Sequence, residues 1–202
     1  MKKRDAKRQA ILDTAYRLFR TQGFDATSIS QITTEVGGSK ATIYSHFPSK
    51  EVLFVECMMA AAEDYITNTV ALLDASGTDP RAVLRDFGTS FLSFASSPNS
   101  LAVQRLLIAE ASRSGIGRLF HAKVSALRAH VATFLSQFMA SGVLRPDDAQ
   151  LAASHLRALL EAEVLEPLLL HAREDLPDEL EVALAADRAV AAFLRAYAPA
   201  RR

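Results

Sequence analysis

Residues 28–48 read SISQITTEVGGSKATIYSHFP, and this stretch decides how the chain begins to fold. Apolar residues at helical spacing predict two short helices, at about 28–36 and about 40–46. The glycine pair Gly37-Gly38 separates them, because glycine tolerates the positive φ angles that end a helix. Pro48 prevents the second helix from continuing. Two such helices joined by a short glycine turn predict a helix-turn-helix.

Two serines mark the starts of these helices. Ser28 precedes Gln31 by three residues, which is the spacing of a capping box; the hydroxyl accepts from the Gln31 N–H and the glutamine side chain reaches back. Ser39 is an N-cap for the helix after the turn. A supporting helix at about 5–21 precedes them and is expected to end at Gly23. Its apolar stripe consists of Ile11, Ala15, Leu18 and Phe19.

Helical spacing continues along nearly the whole chain, and no alternating run is flanked by hairpin turn residues. The sequence therefore predicts an all-α protein of about nine helices. The fourth is expected to run from about residue 49 to near Gly77, and Pro167 to kink or end the eighth. The later helices are expected at about 80–95, 100–113, 117–140, 147–171 and 178–197. The apolar stripe expected on the ninth consists of Leu180, Leu184, Val190, Phe193 and Leu194.

These helices suggest two domains. Residues 1–48 are expected to form a three-helix domain that contains the helix-turn-helix, and residues 49–202 a larger helical regulatory domain for ligand binding and dimerisation.

The composition is that of a globular protein. Half of the 202 residues are hydrophobic, and Cys57, as the single cysteine, cannot form an internal disulfide. The N-terminal residues lack the pattern of a signal peptide, and no apolar run approaches the roughly 18 residues needed to span a membrane. We therefore expect a cytoplasmic protein that does not span a membrane.

Charge is distributed unevenly along this neutral chain. Residues 1–50 contain nine Lys or Arg and four Asp or Glu, a net charge of +5, whereas residues 51–202 carry a net charge of −5. A basic N-terminal part suits a polyanion such as nucleic acid. Short basic N-termini are also common as solvated segments, so charge alone does not decide between the two interpretations.

A dense pattern of apolar, glycine and capping positions extends over residues 11–54. It consists of Ile11, Leu12, Ala15, Leu18, Phe19, Gly23, Phe24, Thr27, Ser28, Ile29, Ile32, Gly37, Ser39, Lys40, Ala41, Thr42, Ile43, Tyr44, His46, Phe47, Ser49, Lys50, Glu51 and Leu53. This pattern resembles the N-terminal domain of the TetR/AcrR family of transcriptional regulators. Residues 105–110 (RLLIAE) and 142–147 (GVLRPD) resemble the AefR-type subgroup. Two positions depart from the family pattern: Thr33 stands where Ala is frequent, and Gly38 where Val is frequent.

The resemblance implies binding to a double-stranded DNA operator, with the third helix in the major groove. We expect Ile43 and Phe47 to pack inward, which leaves Lys40, Thr42, Tyr44 and His46 more accessible. Lys40 can donate to guanine, and Thr42 offers a hydroxyl and a methyl group to the bases. The further groove contacts that the resemblance implies are Ser30 and Ser39. The expected phosphate contacts are Ser28, Tyr44, His46 and Lys50.

Several of these candidates also have a purely structural interpretation. Ser28 and Ser39 are caps whether or not DNA binds. Tyr44 is compatible with a core position, and Lys50 with a solvated surface charge.

A recognition helix of seven residues contacts only three or four base pairs, so useful discrimination requires a two-fold dimer on paired half-sites about 34 Å apart, or a multiple of that distance. The resemblance implies a homodimer through the helices at about 147–171 and 178–197. The alternative is that their apolar residues face only the core of their own subunit. The small residues that permit close helix approach in either case are Ala152, Ala153, Ala158, Ala185, Ala186, Ala189 and Ala192.

Helices four to seven contribute an aromatic set that suits either an apolar ligand cavity or a solid core. Its members are Tyr65, Phe87, Phe91, Phe94, Phe120 and Phe134. Arg105 lies among apolar neighbours and needs a partner, either an anionic ligand or a carboxylate such as Glu110. We expect a small apolar or amphipathic effector that releases DNA by shifting the population of subunit arrangements through residues 48–55. The resemblance also implies repression, which predominates in this family.

An enzyme is the main competing class. The five histidines lack the Glu-x-x-His pattern of di-iron bundles, and HExxH, GxGxxG and P-loop motifs are absent. We expect no catalysis, metal or cofactor. Cys57 is expected to be a small buried hydrophobic residue, with a redox-sensing thiol as the alternative. A helical protein-interaction module that does not bind DNA is the third class.

Overall fold

The computed structural model describes residues 2–60, 67–68, 71–73 and 79–199. These residues form nine helices and no strand, in agreement with the all-α prediction. The helices are α1 (Lys2–Ala26), α2 (Ile29–Val36), α3 (Lys40–His46), α4 (Lys50–Ala60), α5 (Pro80–Ala95), α6 (Pro98–Glu110), α7 (Ile116–Ala140), α8 (Ala149–Leu169) and α9 (Glu179–Ala196). Most of the expected continuation of α4 towards Gly77 lies outside the described residues.

Helix ends differ from the predicted bounds in two instructive places. α1 extends to Ala26, and its helical backbone is interrupted at Gly23, which has a φ of 81° and a ψ of 175°. α8 continues two residues beyond Pro167 to Leu169. The proline lies in the last turn and lacks the N–H that would donate to the Glu163 carbonyl, but the helix tolerates this one missing bond and does not end at the proline.

The chain divides into two compact units. The first unit comprises residues 1–63 and 102–122, and the second comprises residues 64–101 and 123–202. Compactness therefore does not divide the chain at residue 48, because α4 and residues 102–122 share the core of the first unit. The functional division after residue 48 stays a prediction.

An aromatic cluster lies at the centre of the first unit. The ring of Phe54 on α4 is 5.1 Å from that of Phe19 and 5.2 Å from that of Phe24, both on α1. All three side chains are buried, together with the four apolar residues of the stripe predicted on α1. Burial of this area holds α1 against α4 and gives the helix-turn-helix a rigid base.

Close packing of α5 against α8 and α9 forms the core of the second unit. A Cβ atom at Gly88 of α5 would lie 2.8 Å from Leu160 Cδ2 and 3.4 Å from Ala186 Cβ. Glycine is therefore required for this approach of the helices, and small alanines on α8 and α9 assist it.

Apolar side chains of α9 point in two directions. Val190 and Phe193 are fully buried. Leu180 and Leu184, which were expected in the same stripe, are 68% and 49% exposed. The predicted apolar residues of α9 therefore divide between a buried face and an exposed one. Leu151 of α8 is also 48% exposed.

No helix among the described residues combines the length and the apolar character needed to cross a membrane.

Candidate nucleic-acid interface

Reciprocal capping fixes the start of α3. The Ser39 hydroxyl accepts from the Thr42 N–H over 3.2 Å, and the Thr42 hydroxyl accepts from the Ser39 N–H over 3.4 Å. Ser39 was predicted as a cap, but Thr42 was considered only as a base contact. Because its hydroxyl belongs to this capping box, the group of Thr42 that is left unengaged by the box is its methyl group.

The two faces of α3 differ sharply in polarity. Ile43 and Phe47 are 2% and 1% exposed, so the prediction that they pack inward is confirmed. Lys40 is exposed, and Tyr44 is 47% exposed, which rules out the core interpretation of Tyr44. His46 is half-buried, with its ring 6.2 Å from the Phe47 ring. The accessible face of α3 therefore carries polar and charged groups above an apolar anchor.

Only one of the two hydrogen bonds predicted for the capping box of α2 is present. The Gln31 N–H donates to the Ser28 hydroxyl over 3.1 Å, as expected. The Gln31 side chain does not return to Ser28; its amide donates to Gln22 Oε1 over 3.2 Å. Ser30, in the first turn of α2, is exposed. Both serines are thus on the surface of the first unit, and Ser28 has a structural role of its own.

Thr33, one of the two departures from the family pattern, is accommodated inside α2. Its side chain is buried, and its hydroxyl donates to the Ile29 carbonyl over 2.7 Å and to the Ser30 carbonyl over 2.8 Å. A buried hydroxyl that finds a carbonyl acceptor on its own helix carries little penalty. The larger side chain therefore leaves the helix intact.

Lys50 occupies a more protected position than a surface charge. Its ammonium lies 4.3 Å from the centroid of the Phe24 ring, and the side chain is half-buried. Loss of solvent lowers the pKa of Lys50, although the nearby carboxylates of Asp25, Glu51 and Glu110 act in the opposite direction. Lys50 is therefore only partly solvated, and its phosphate contact stays a prediction.

Several basic residues of α1 pair with other groups of the chain at the surface of the first unit. Arg8 pairs with Glu56 over 3.0 Å, and its guanidinium lies 5.2 Å from the Phe47 ring centroid. Arg17 forms an ion pair with Glu35 of α2. Lys7 donates to backbone carbonyls 29 and 30 residues away. Part of the positive charge counted over residues 1–50 thus holds the fold together, and no local sequence signal marks these distant pairs.

The ligand candidates belong to both units. Phe87 and Phe134 are buried in the core of the second unit, and Phe91 packs against that core with its ring 6.4 Å from Phe87. Phe120 packs against the core of the first unit. Arg105 is half-buried in the first unit and interacts with another group of the chain. Phe94 is half-buried, and Tyr65 lies outside the described residues. Ligand contact by these residues stays a prediction.

An open groove of about 1010 Å³ lies on the second unit, between α5 and α9. Its walls include Arg81, Arg85 and Leu184. Arg81 forms an ion pair with Asp187 across the groove, with 3.2 Å between Nη2 and Oδ1. None of the ligand candidates among the described residues lines it.

Cys57 is a packing residue. It is 1% exposed and its Sγ donates to the Phe54 carbonyl over 3.1 Å. Burial raises the pKa of the Cys57 thiol far above its ordinary value, so the reactive thiolate is not formed at neutral pH. The prediction of a small buried hydrophobic residue is confirmed. Among the described residues, no three His, Cys, Asp or Glu side chains come together as a metal site.

Comparison with known families assigns both parts of the chain. Residues 11–57 match the family described as bacterial regulatory proteins, tetR family. Residues 82–199 match the AefR-like transcriptional repressor, C-terminal domain. The expected resemblance, including its AefR-type second half, is confirmed.

Curated relatives match the N-terminal part. The HTH-type transcriptional regulator YerO of Bacillus subtilis is 37% identical over 94 residues, which cover 44% of this chain and 31% of YerO. The regulator LmrA of the same organism is 38% identical over 81 residues, which cover 40% of this chain and 43% of LmrA. The chain therefore spans less than half of the length of these relatives.

Solved structures match along nearly the whole chain. A TetR-family transcriptional regulator from Mesorhizobium loti is 27% identical with a TM-score of 0.81, over 96% of this chain and 98% of the other. The flavonoid-responsive regulator FrrA is 31% identical with a TM-score of 0.78, over 98% and 100% of the two chains. These relatives are transcriptional regulators and not enzymes. This chain belongs to the TetR family of transcriptional regulators, with an AefR-like C-terminal domain.

Proposed function

We propose that this regulator is a repressor that binds a palindromic DNA operator as a homodimer and leaves it when a small apolar or amphipathic ligand binds. The observation that supports DNA binding best is the polarity of α3. Its apolar residue Ile43 is buried, while Lys40 and Tyr44 are exposed. A short helix with an apolar anchor and a polar outer face suits the water-filled major groove.

Within this interface we propose a division of tasks. Lys40 contacts a base through its ammonium, and Thr42 contributes its methyl group, because its hydroxyl is engaged with Ser39. Ser30 and Ser39 lie beside them on the same unit. Four residues, Ser28, Tyr44, His46 and Lys50, supply phosphate contacts, which set affinity and orientation without selecting a sequence. For Lys50 this requires the ammonium to leave the Phe24 ring.

The proposed homodimer interface uses α8 and α9. Leu151 of α8 and Leu180 and Leu184 of α9 are about half exposed or more. Large apolar side chains on two neighbouring helices favour a protein partner over solvent. In a two-fold dimer these helices from two subunits form a four-helix arrangement, and the dimer contains two copies of α3.

The proposed effector class rests on the description of one similar regulator and on the aromatic residues of the second unit. FrrA, which is similar to this chain over its whole length, is described as flavonoid-responsive. An aromatic, amphipathic ligand is compatible with the phenylalanines Phe87, Phe91 and Phe134 of the second unit. Its binding must favour one subunit arrangement over the other. We propose that residues 48–55 and 102–122 transmit this preference, because both segments belong to the compact unit that contains α3.

A regulator of this kind acts on the chromosome, and we therefore propose that it works in the cytoplasm.

Selection of bound duplexes from a random DNA pool tests the operator proposal most directly. We expect an inverted repeat whose half-sites have centres about 34 Å apart or a multiple of that distance. Failure to enrich any sequence, or enrichment of a single site without symmetry, contradicts the proposal. The size of the bound complex, measured by sedimentation, reports the number of subunits independently.

Two further measurements test general DNA binding and the effector class separately. Binding of a random duplex is expected to weaken steeply between low and high salt, because phosphate neutralisation releases counterions; no binding at low salt points instead to a protein-interaction module. Flavonoids titrated into the operator complex are expected to release the DNA. If flavonoids leave the complex intact, the proposed effector class is wrong while operator binding stands.

A further inference from the structure

The residues of the turn before α3 do little by themselves to hold it in one conformation. Gly37 and Gly38 have φ angles of 73° and 117°, which favour glycine. Two consecutive glycines lose more backbone entropy on ordering than other residues, so this turn is costly to hold in one conformation. Gly38 stands where Val is frequent in the family, and the turn therefore lacks an apolar side chain that would anchor it.

The end of α2 also lacks a stabilising charge of its own. The last carbonyls of a helix have no partner within the helix and form the negative end of its dipole. The last turn of α2 contains no basic residue. It contains Glu35, whose negative charge is unfavourable at this end and is neutralised by Arg17 of α1. A cation supplied from outside α2 is therefore favourable at its C-terminus.

Lys7 of α1 supplies that cation. Its ammonium donates to the Val36 carbonyl over 2.9 Å and to the Gly37 carbonyl over 2.6 Å. A Cβ atom at Gly38 would lie 3.8 Å from this ammonium and 3.6 Å from Thr42 Oγ1. The ammonium thus lies between the end of α2 and the capping box that starts α3.

We infer that Lys7 is a positioning residue, which fixes the Gly37-Gly38 turn and thereby sets how α3 is presented to DNA. The inference rests on the proposed operator binding for its functional consequence, but the contact itself does not. Two of the three N–H donors of its ammonium are engaged by backbone carbonyls, and we therefore assign Lys7 to the turn and not to the phosphate contacts.

Three variants test this inference. Lys7→Met keeps the length of the side chain and removes the ammonium, and Lys7→Arg keeps a cation that can donate to carbonyls. The matched control is Arg4→Met, which removes the same charge from an exposed position on the same helix. Thermal unfolding of all three identifies any variant that fails to fold, and Lys7→Arg keeps the comparison informative if Lys7→Met is unstable.

The first measurement needs no DNA. Amide hydrogen exchange over residues 37–43 is expected to accelerate at least about threefold in Lys7→Met, because local opening of the turn becomes easier. Arg4→Met is expected to leave this exchange unchanged, and Lys7→Arg to restore most of the protection. Unchanged exchange in Lys7→Met overturns the inference, whatever the DNA experiments give.

The second measurement compares the selected operator with a random duplex at several salt concentrations. In Lys7→Met we expect the ratio of specific to non-specific affinity to fall at least about fivefold, with the salt slope unchanged. Removal of a phosphate-binding residue behaves differently: affinity for both duplexes falls alike, and the slope decreases by about 0.9 for each phosphate that is no longer neutralised. That result overturns the inference. If the wild-type protein binds no DNA, the proposed function fails, and hydrogen exchange still decides the role of Lys7 in the turn.

Discussion

The helices α3 and α9 expose opposite kinds of surface. α3 has seven residues, its apolar residue Ile43 is buried, and its exposed side chains are mainly polar. α9 has 18 residues, buries one apolar face, and exposes two leucines on another. A helix that hides its apolar residues suits a hydrated partner such as DNA, whereas one that exposes leucines suits a second protein surface. The difference motivates the assignment of α3 to DNA and of α9 to dimerisation.

Leu184→Glu is expected to produce the largest effect. A carboxylate at this position loses water on both sides of a two-fold interface, so the dimer dissociation constant should rise at least about 100-fold. Sedimentation equilibrium measures the change. The control is Val143→Glu, which places the same charge at a residue that is 43% exposed and lies outside α8 and α9. If Leu184→Glu dimerises as tightly as the wild-type protein, Leu184 of α9 is not part of the interface.

Lys40→Met tests the polar face of α3. Loss of one base contact in each subunit should weaken operator binding about 10- to 100-fold and relax the preference at one base pair in each half-site. Lys50→Met is the comparison, because loss of a phosphate contact weakens all sequences alike. Binding to a panel of single-substitution operators checks both. Uniform weakening by Lys40→Met assigns Lys40 to the phosphates instead.

Gly88→Ala tests the close approach on which α9 depends. The added methyl group would lie 2.8 Å from Leu160 Cδ2, and we expect a loss of about 1–3 kcal/mol in the free energy of unfolding. Urea unfolding followed by circular dichroism measures it. Ser93→Ala, at an exposed position of the same helix, is the control. Because alanine is favoured over glycine by about 1 kcal/mol in a helix interior, unchanged stability means that the contact with Leu160 costs no more than this gain.

Glu163→Gln is expected to have the smallest effect. The Arg188 side chain donates to the Glu163 carboxylate over 2.9 Å and holds the pKa of Glu163 below its ordinary value. A lowered folded-state pKa stabilises the protein above the ordinary carboxyl pKa, and this stabilisation is lost as pH falls through the lowered value. The pair is about half exposed, so its contribution is well below the effect of Gly88→Ala.

The pH dependence of this variant is its sharper signature. Urea unfolding should show a small deficit at pH 7 that shrinks as the pH falls and disappears once the pH has passed below the lowered pKa of Glu163, because the wild-type side chain is then uncharged too. Glu166→Gln, at an exposed position of α8, is the matched control. A deficit that persists at acid pH shows that packing, and not the ion pair, connects Glu163 to α9.

Prediction from the sequence was most successful where the interactions are local. The caps Ser28 and Ser39 act on N–H groups three residues ahead, and the burial of Ile43 follows from helical spacing. The second half of the Ser28 capping box was predicted wrongly because Gln22, from another part of the first unit, takes the Gln31 side chain. The sequence therefore identified several members of the proposed DNA interface. It did not always identify the residues that these members contact.

The sequence by itself determined the all-α class, the helix-turn-helix and the family. These depend on periodicity, capping and turn residues, which act over a few positions. Tertiary structure alone decided that Lys7, Arg8 and Arg17 have partners within the chain and that Leu180 and Leu184 stay exposed. A charge or an apolar side chain has the same local pattern whether its partner is solvent, DNA or a distant helix. Only the packed fold shows which of them it meets.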